Sequence, residues 1–410
     1  MDYKKQAFYN TVGNLVYMVC VWLISVLTVR LSGFEDAGVL SLAMSVGNIF
    51  YFIAMYGMRS FQASDSLYQY APEDYFAVRW ITTGISLVAL AGYLLFAGYS
   101  VYICAAIVLY TLFKCAEACS DVFFGELQRL GHLEVCGISM SVKGILSIPV
   151  YCLILYFTKN INLALTGIVV LAALFFLMYD LPGFRKFRKS GEKKKATAAL
   201  PLLKAGFPML LTTVFPIIVT AMPRLALEHY CGTEVLGIYS SISTPTVLIT
   251  TLVPNVLAPF MTHYGFCYHE KLYRKLLRML WISIGCTALL GLAACICAYF
   301  LGDFVMGLIF GEAILPHLYL FIPLILATIV YAFSMCANSV LISIRQPAWL
   351  TGFAGAALVT SLVCSYPMVQ HMGQMGAVWA FGIPFAIQLI LQLAYLVYKL
   401  RLSRFAKEGK

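Results

Sequence analysis

The chain has 410 residues, 61% of them hydrophobic and only 11% charged, with a mean hydropathy of +0.86 and a formal net charge of +10. So few charged groups cannot cover the outside of a water-soluble globule with that much apolar surface, which excludes a soluble class and makes lipid the solvent of the exterior. The positive charge calls for no nucleic acid; its distribution along the chain gives it another meaning, described below.

A helix that crosses a bilayer needs roughly 20 apolar residues. Runs of that length predict spans at about 8–30, 37–58, 77–98, 100–118, 136–158, 161–180, 205–227, 235–260, 278–301, 316–342, 347–368 and 374–398. Asn160–Tyr179 and Met279–Gly302 are uncharged throughout, and Gln346–Tyr398 holds no Asp, Glu, Lys or Arg. That last stretch is too long for one crossing and breaks at His371–Gly373. The fourth span is expected to continue as helix toward Gln128. The first run is as long as a full span and leads directly into a second, unlike a cleaved signal peptide. Thirteen cysteines without a CxxC pair read as small buried hydrophobes rather than a zinc site or a disulfide frame.

Twelve spans put both termini on one side of the membrane. Of the 28 Lys and Arg residues, 23 fall in loops or tails on that side, among them Arg59, Arg79, Arg129 and the run from Arg185 to Lys204. The opposite side has only Arg30 and Lys159, and Lys114, Lys143 and Arg224 lie within spans. By the positive-inside rule both termini are cytoplasmic, and the net charge is a topology signal with anionic lipid headgroups as partners. The one long polar segment, Gly183–Ala199, divides the chain into an N-terminal six-helix lobe (1–182), a basic cytoplasmic linker (183–200) and a C-terminal six-helix lobe (201–410).

The two lobes echo each other. Gly33-Phe-Glu35-Asp-Ala-Gly38-Val-Leu-Ser41 and Gly232-Thr-Glu234-Val-Leu-Gly237-Ile-Tyr-Ser240 share the pattern G-x-E-x-x-G-[VI]-x-S at an offset of 199 residues. Both open the second helix of their lobe. This placement favours duplication over chance and predicts parallel repeats related by an axis along the membrane normal, an arrangement common in transporters.

Ionisable groups inside a membrane are costly and mark cavities or pairs. Lys114, Glu117 and Asp121 lie on one stripe of the fourth span at i, i+3, i+7, with Glu126 further on. Lys143 lies in the fifth span, Arg224 and Glu228 at i, i+4 in the seventh, and Arg59 at the end of the second. One reading is a cavity between the lobes in which Arg59, Lys143 and Arg224 bind an anionic group and the carboxylates hold those cations in place; arginine suits phosphate through two parallel hydrogen bonds. The other is that Lys114–Glu117 and Arg224–Glu228 are structural ion pairs or snorkel to the interface. Prolines at 208, 216, 223, 245, 254 and 259 in the seventh and eighth spans favour bending there. No Walker A, GxSxG, HExxH or paired-His motif is present, so catalysis, a cofactor, a metal or ATP drive is not expected, and the chain reads as no enzyme.

Three stretches carry a family resemblance: Asn10-Thr-Val-Gly13-Asn14; Glu117-Ala-Cys-Ser-Asp121-Val-Phe-Phe-Gly125-Glu-Leu-Gln128-Arg129 followed by Lys143-Gly144; and Pro223-Arg224-Leu through Gly237-Ile-Tyr239-Ser240. In that order they resemble the bacterial polysaccharide flippases (O-antigen, capsule and teichoic type) of the multidrug/oligosaccharidyl-lipid/polysaccharide exporter superfamily. The resemblance implies an all-α integral membrane fold of about twelve helices, V-shaped around a central cavity and similar to the multidrug exporters. It implies a monomer of the bacterial plasma membrane that flips a lipid-linked oligosaccharide on an undecaprenyl-type carrier by alternating access, working beside a polysaccharide polymerase and glycosyltransferases. The (pyro)phosphate would sit in the cationic cavity, with the sugars in hydrated space and the tail in lipid. Membrane potential, an ion gradient and product consumption are all compatible drives. Pro223 stands where the family commonly has Asp, which weakens an acidic coupling role there; Glu228, one turn on, is the substitute. A multidrug antiporter of the same fold is the alternative, and it calls for an acid-dominated cavity. A facilitator-type transporter is disfavoured by the loop after Arg59, and a membrane glycosyltransferase by the paucity of acids in the longest outward loop, expected near Gly302–Leu315.

Overall fold

The computed structural model describes residues 3–65, 69–183 and 198–408, and all regular structure among them is helical. The first six crossings are α1 (Tyr3–Ser32), α2 (Phe34–Met55), α4 (Pro72–Ala97), α5 (Val101–Arg129), α6 (Leu133–Thr158) and α7 (Ile161–Phe175). A short α3 (Met58–Ser64) follows α2 after Tyr56 and Gly57, both left-handed. Local chemistry sets the helix starts. Pro72 begins α4, where its missing N–H costs nothing, and Asp74 accepts the Ala71 N–H at 3.0 Å. The Asn160 side chain caps α7 by accepting from Asn162 and Leu163.

α7 does not end as an α-helix. Its buried stripe runs Ile161, Ala164, Leu165, Ile168, Ala172, and α-periodicity would place Tyr179 on it two turns after Ala172. The chain instead makes a π-helical turn over Phe176–Asp180. The wider turn takes up one extra residue, so Asp180 is buried and Tyr179 is exposed.

The remaining elements are α8 (Ala199–Ser243), α9 (Thr246–His269), α10 (Tyr273–Phe310), a 3-10 turn (Glu312–Leu320), α11 (Phe321–Ser343) and α12 (Pro347–Glu408). Among the described residues, ten helices are long and apolar enough to cross a membrane. α8, with 45 residues, and α12, with 62, are too long for one crossing, and each departs from helical backbone at a glycine, Gly232 and Gly373. With α9 completing the passage that starts after Gly232, the described residues divide into twelve helical passages, and the chain is a multi-pass membrane protein. The break expected at His371–Gly373 falls at Gly373. The outward loop expected near Gly302–Leu315 is not a loop: α10 runs to Phe310 and the 3-10 turn starts at Glu312. Met306, Phe310 and Ile314 are buried at spacings of four, so the segment has an apolar face that keeps it folded against its neighbours.

The internal echo has a shared backbone. Gly33 adopts φ 92°, ψ −176°, and Gly232 adopts φ 85°, ψ 173°. This region is open essentially to glycine alone, so both copies need the residue that opens the pattern.

Two compact units divide at Ile217/Ile218, within α8. The basic linker expected at 183–200 lies outside the described residues from 184 to 197. In the first unit α1 crosses α6 with backbones almost touching. A Cβ on Gly13 would lie 2.1 Å from the Gly137 carbonyl oxygen, and one on Gly137 would lie 2.2 Å from that of Tyr9. Small residues that permit such approach are the usual means by which membrane helices associate, since lipid supplies no hydrophobic drive between them. A second cluster joins α3, α4, α5 and the start of α8 through Met58, Tyr75, Val78, Val122 and Leu202. In the second unit Val219, Ala357 and Phe385 form a core against which Tyr331 packs. Large apolar side chains such as Leu95, Phe96 and Phe157 face outward, as lipid allows.

Candidate functional site

α2 ends at Met55, leaving its last carbonyls without helical partners. Arg79 of α4 and Thr82 one turn on meet the Ala54 carbonyl, at 2.6 and 2.8 Å. A guanidinium suits that position because the helix C-terminus is its negative end. The second arm of Arg79 donates to Asp121 Oδ2 of α5 at 3.1 Å, and the side chain is 2% exposed. The other oxygen of the same carboxylate accepts from Arg59 of α3, also at 3.1 Å, with Arg59 26% exposed. One aspartate therefore holds two arginines, one sealed in and one at the edge of an open space.

That space is a cavity of about 340 Å³ within the first unit. Arg59, Lys114, Glu117, Ser120, Asp121 and Lys143 supply its polar lining, and Tyr17, Tyr51, Phe52, Met55, Phe124 and Met140 are among its apolar walls. Each cation is held differently. Lys114 donates to Glu117 at 2.7 Å and to the Tyr17 hydroxyl at 3.1 Å, and the rings of Tyr17, Tyr51, Tyr110 and Phe113 surround its ammonium at 5.2–5.8 Å. Tyr17 also hydrogen-bonds Glu117. This is a cation–π cage, and within it Lys114 uses two of its three N–H groups on Glu117 and Tyr17. Lys143 of α6 pairs with Asp180, at the π turn of α7, and donates to Ser120 at 2.7 Å. Asp180 accepts further from Ser120 and Ser139, each at 2.6 Å.

In this set four cations (Arg59, Arg79, Lys114, Lys143) meet three carboxylates (Glu117, Asp121, Asp180). The balance is one positive charge. Arg59, Lys114 and Lys143 all border the cavity, and each keeps a donor beyond its side-chain hydrogen bonds among the described residues. An ammonium has three N–H groups, and among the described residues Lys143 uses two of them, on Asp180 and Ser120.

The structure thus brings five of the seven sequence-derived residues to one cavity: Arg59, Lys114, Glu117, Asp121 and Lys143. Lys114 and Glu117 form an i, i+3 ion pair. Arg224 and Glu228 belong to the second unit and do not line this cavity. Arg224 is half-buried and donates to Ser243 at 3.4 Å, and no ion pair joins it to Glu228 among the described residues. Two residues escaped the sequence reading. Arg79 counts as a loop cation by charge pattern, yet it lies inside α4. Asp180 ends an apolar run, and α-periodicity gives no reason to turn it inward. Arg129, also counted as a loop cation, is buried beside Asp65 and Glu126 at 3.6 and 3.5 Å.

No protein-family model matches the chain. The capsular polysaccharide biosynthesis protein CapF of Staphylococcus aureus is 26% identical over 314 residues, which cover 74% of this chain and 76% of CapF. Among solved structures, the lipid II flippase MurJ in an inward closed conformation superposes with a TM-score of 0.73 at 14% identity, covering 94% of this chain and 87% of MurJ. An inward-facing multidrug resistance MATE family transporter of the MOP superfamily superposes with a TM-score of 0.68 at 15% identity, covering 96% of this chain and 95% of the transporter. The resemblance read from the sequence thus holds at the level of the fold: this chain shares the architecture of that MATE family transporter and of MurJ.

Proposed function

We propose that the protein flips a polyprenyl-(pyro)phosphate-linked oligosaccharide from the cytoplasmic to the outer leaflet of the bacterial plasma membrane, for surface polysaccharide synthesis. The observation that carries this reading is the unbalanced positive charge of the first-unit cavity, with spare donors on Arg59 and Lys143. A pyrophosphate without compensation at the bilayer centre costs many kcal/mol. A cavity that is itself short of one negative charge lowers that cost. The similarity to CapF, whose name assigns it to capsular polysaccharide biosynthesis, and the fold shared with a lipid II flippase support the same reading.

In this reading Arg59 and Lys143 meet the phosphate, and Arg224, in the second unit, is a further candidate for substrate binding. Asp121, Lys114 and Glu117 hold the lining in place, and Glu228 is a candidate for coupling. The two units alternate in access, both termini are cytoplasmic, and the glycan polymerase and glycosyltransferases are functional neighbours. The alternative is a small-solute antiporter of the multidrug type on the same fold. It calls for surplus acid to receive cationic solutes, whereas the surplus here is cationic.

The test is single replacement of Arg59, Lys143 and Arg224 by Ala and by Lys or Arg, with surface polysaccharide measured alongside protein level. Arg59→Ala is expected to reduce export by roughly tenfold or more at unchanged protein level, the loss of one charge-assisted contact, and Arg59→Lys to restore part of it. Normal export by all three Ala variants would overturn the proposal.

A further inference from the structure

Asp180 lies outside the cavity lining, yet it is the most deeply enclosed carboxylate of the network, with its side chain 1% exposed. Burying a carboxylate costs several kcal/mol unless its oxygens are satisfied. Here they are: one accepts from Ser139, and the other from Ser120 and the Lys143 ammonium. The three donors come from α5 and α6, and the π turn of α7 is what brings the acceptor to them. Wide turns of this kind are rare and gather at functional sites.

The geometry separates front from back. Lys143 and Ser120 line the cavity, whereas Asp180 and Ser139 do not. Lysine has a flexible four-carbon stem and a compact charge, so an untethered ammonium samples many positions. Asp180 and Ser120 fix two of its three N–H groups, and the rings of Phe124 and Phe175 lie 5.4 Å from the nitrogen. One N–H remains for the space that the lysine borders. The partner of Arg59 is different in kind, because Asp121 itself lines the cavity and is shared with Arg79.

We infer that Asp180 is the positioning residue of the anion site: it holds the Lys143 ammonium from behind, charged and aimed, so that its remaining N–H serves the phosphate of the substrate. The inference rests on the reading of the cavity as an anion site.

The test measures binding of inorganic pyrophosphate to the full chain in detergent by calorimetry, with thermal melting as the control for folding. Asp180→Asn is expected to bind roughly tenfold more weakly than wild type, the value of one charge-assisted hydrogen bond. Exchanging the pair of residues, Asp180→Ser with Ser139→Asp, returns a carboxylate to the same polar nest, one helical turn before Lys143 on α6. That exchange is expected to recover most of the affinity. Lys143→Met with Asp180→Leu removes the buried pair without leaving a lone charge; it is expected to melt near wild type and bind as weakly as Lys143→Met alone. Should Asp180→Asn fail to fold, the exchange and the apolar pair decide. Wild-type affinity in Asp180→Asn or in the apolar pair, with Arg59→Ala still impaired, overturns this inference alone. A wild-type protein that does not bind pyrophosphate overturns the cavity reading and this inference together.

Discussion

Asp121 has one negative charge for two guanidinium groups, and this asymmetry defines the cavity. Arg79 has a second anchor in the Ala54 carbonyl and is sealed from solvent, whereas Arg59 pairs with Asp121, lies over the Phe124 ring and has a partly open flank. Removing the aspartate strands both cations, and breaking a buried pair costs on the order of 3 kcal/mol. Asp121→Ala is therefore expected to destabilise the protein by about that amount and to lower its level in the membrane, read as a fall in melting temperature in detergent. Arg59→Ala relieves the double demand on Asp121 and is expected to leave melting within a few degrees of wild type while reducing export. A pair of variants that melt alike would show that Arg79 does not depend on Asp121. At this scale the sequence displayed Lys114, Glu117, Asp121, Lys143 and Arg59, because charge in an apolar run is conspicuous. It hid Arg79, which sits close enough to a predicted span end to pass for a loop residue.

At the scale of elements, apolar run lengths located the crossings well, and the differences lie at ends and joints. A loop expected from Gly302 to Leu315 contains charged Asp303 and Glu312, but the buried face of Met306, Phe310 and Ile314 keeps helix on both sides of Gly311. The crossing of α1 and α6 is the element contact with the least room. Gly13, part of the opening Asn-Thr-Val-Gly-Asn stretch, faces Gly137 so closely that any side chain meets backbone rather than a side chain able to move aside. Gly13→Leu must force the helices apart, an overpacking cost of roughly 1–3 kcal/mol. It is expected to lower the melting temperature by several degrees, and Gly13→Ala by less. Gly84 and Gly92 of α4 face open space, with nothing within 4 Å of where a methyl group would stand, so Gly84→Ala and Gly92→Ala serve as controls that melt at or above wild type.

Across the whole molecule, the polar network is concentrated in the first unit, while the second presents Arg224 without a carboxylate partner among the described residues. Two-fold similarity in backbone, seen at Gly33 and Gly232, thus coexists with unlike chemistry. The charge pattern displayed Lys143, but only packing could reveal that its partner is Asp180. Pattern reading assumes a constant 3.6-residue period, and α7 departs from it over Phe176–Asp180. That turn amounts to a one-residue insertion accommodated without breaking the helix. Deleting Tyr179, which is exposed, would return α7 to regular period and place the aspartate seven residues after Ala172, back on the buried stripe. The shortened chain is therefore expected to fold and to export, whereas deletion of Asp180 itself is expected to abolish export, with both read as surface polysaccharide against protein level. A protein that tolerates losing a residue from within a membrane helix, but only the one beside the buried aspartate, would carry its function in helical phase rather than in length.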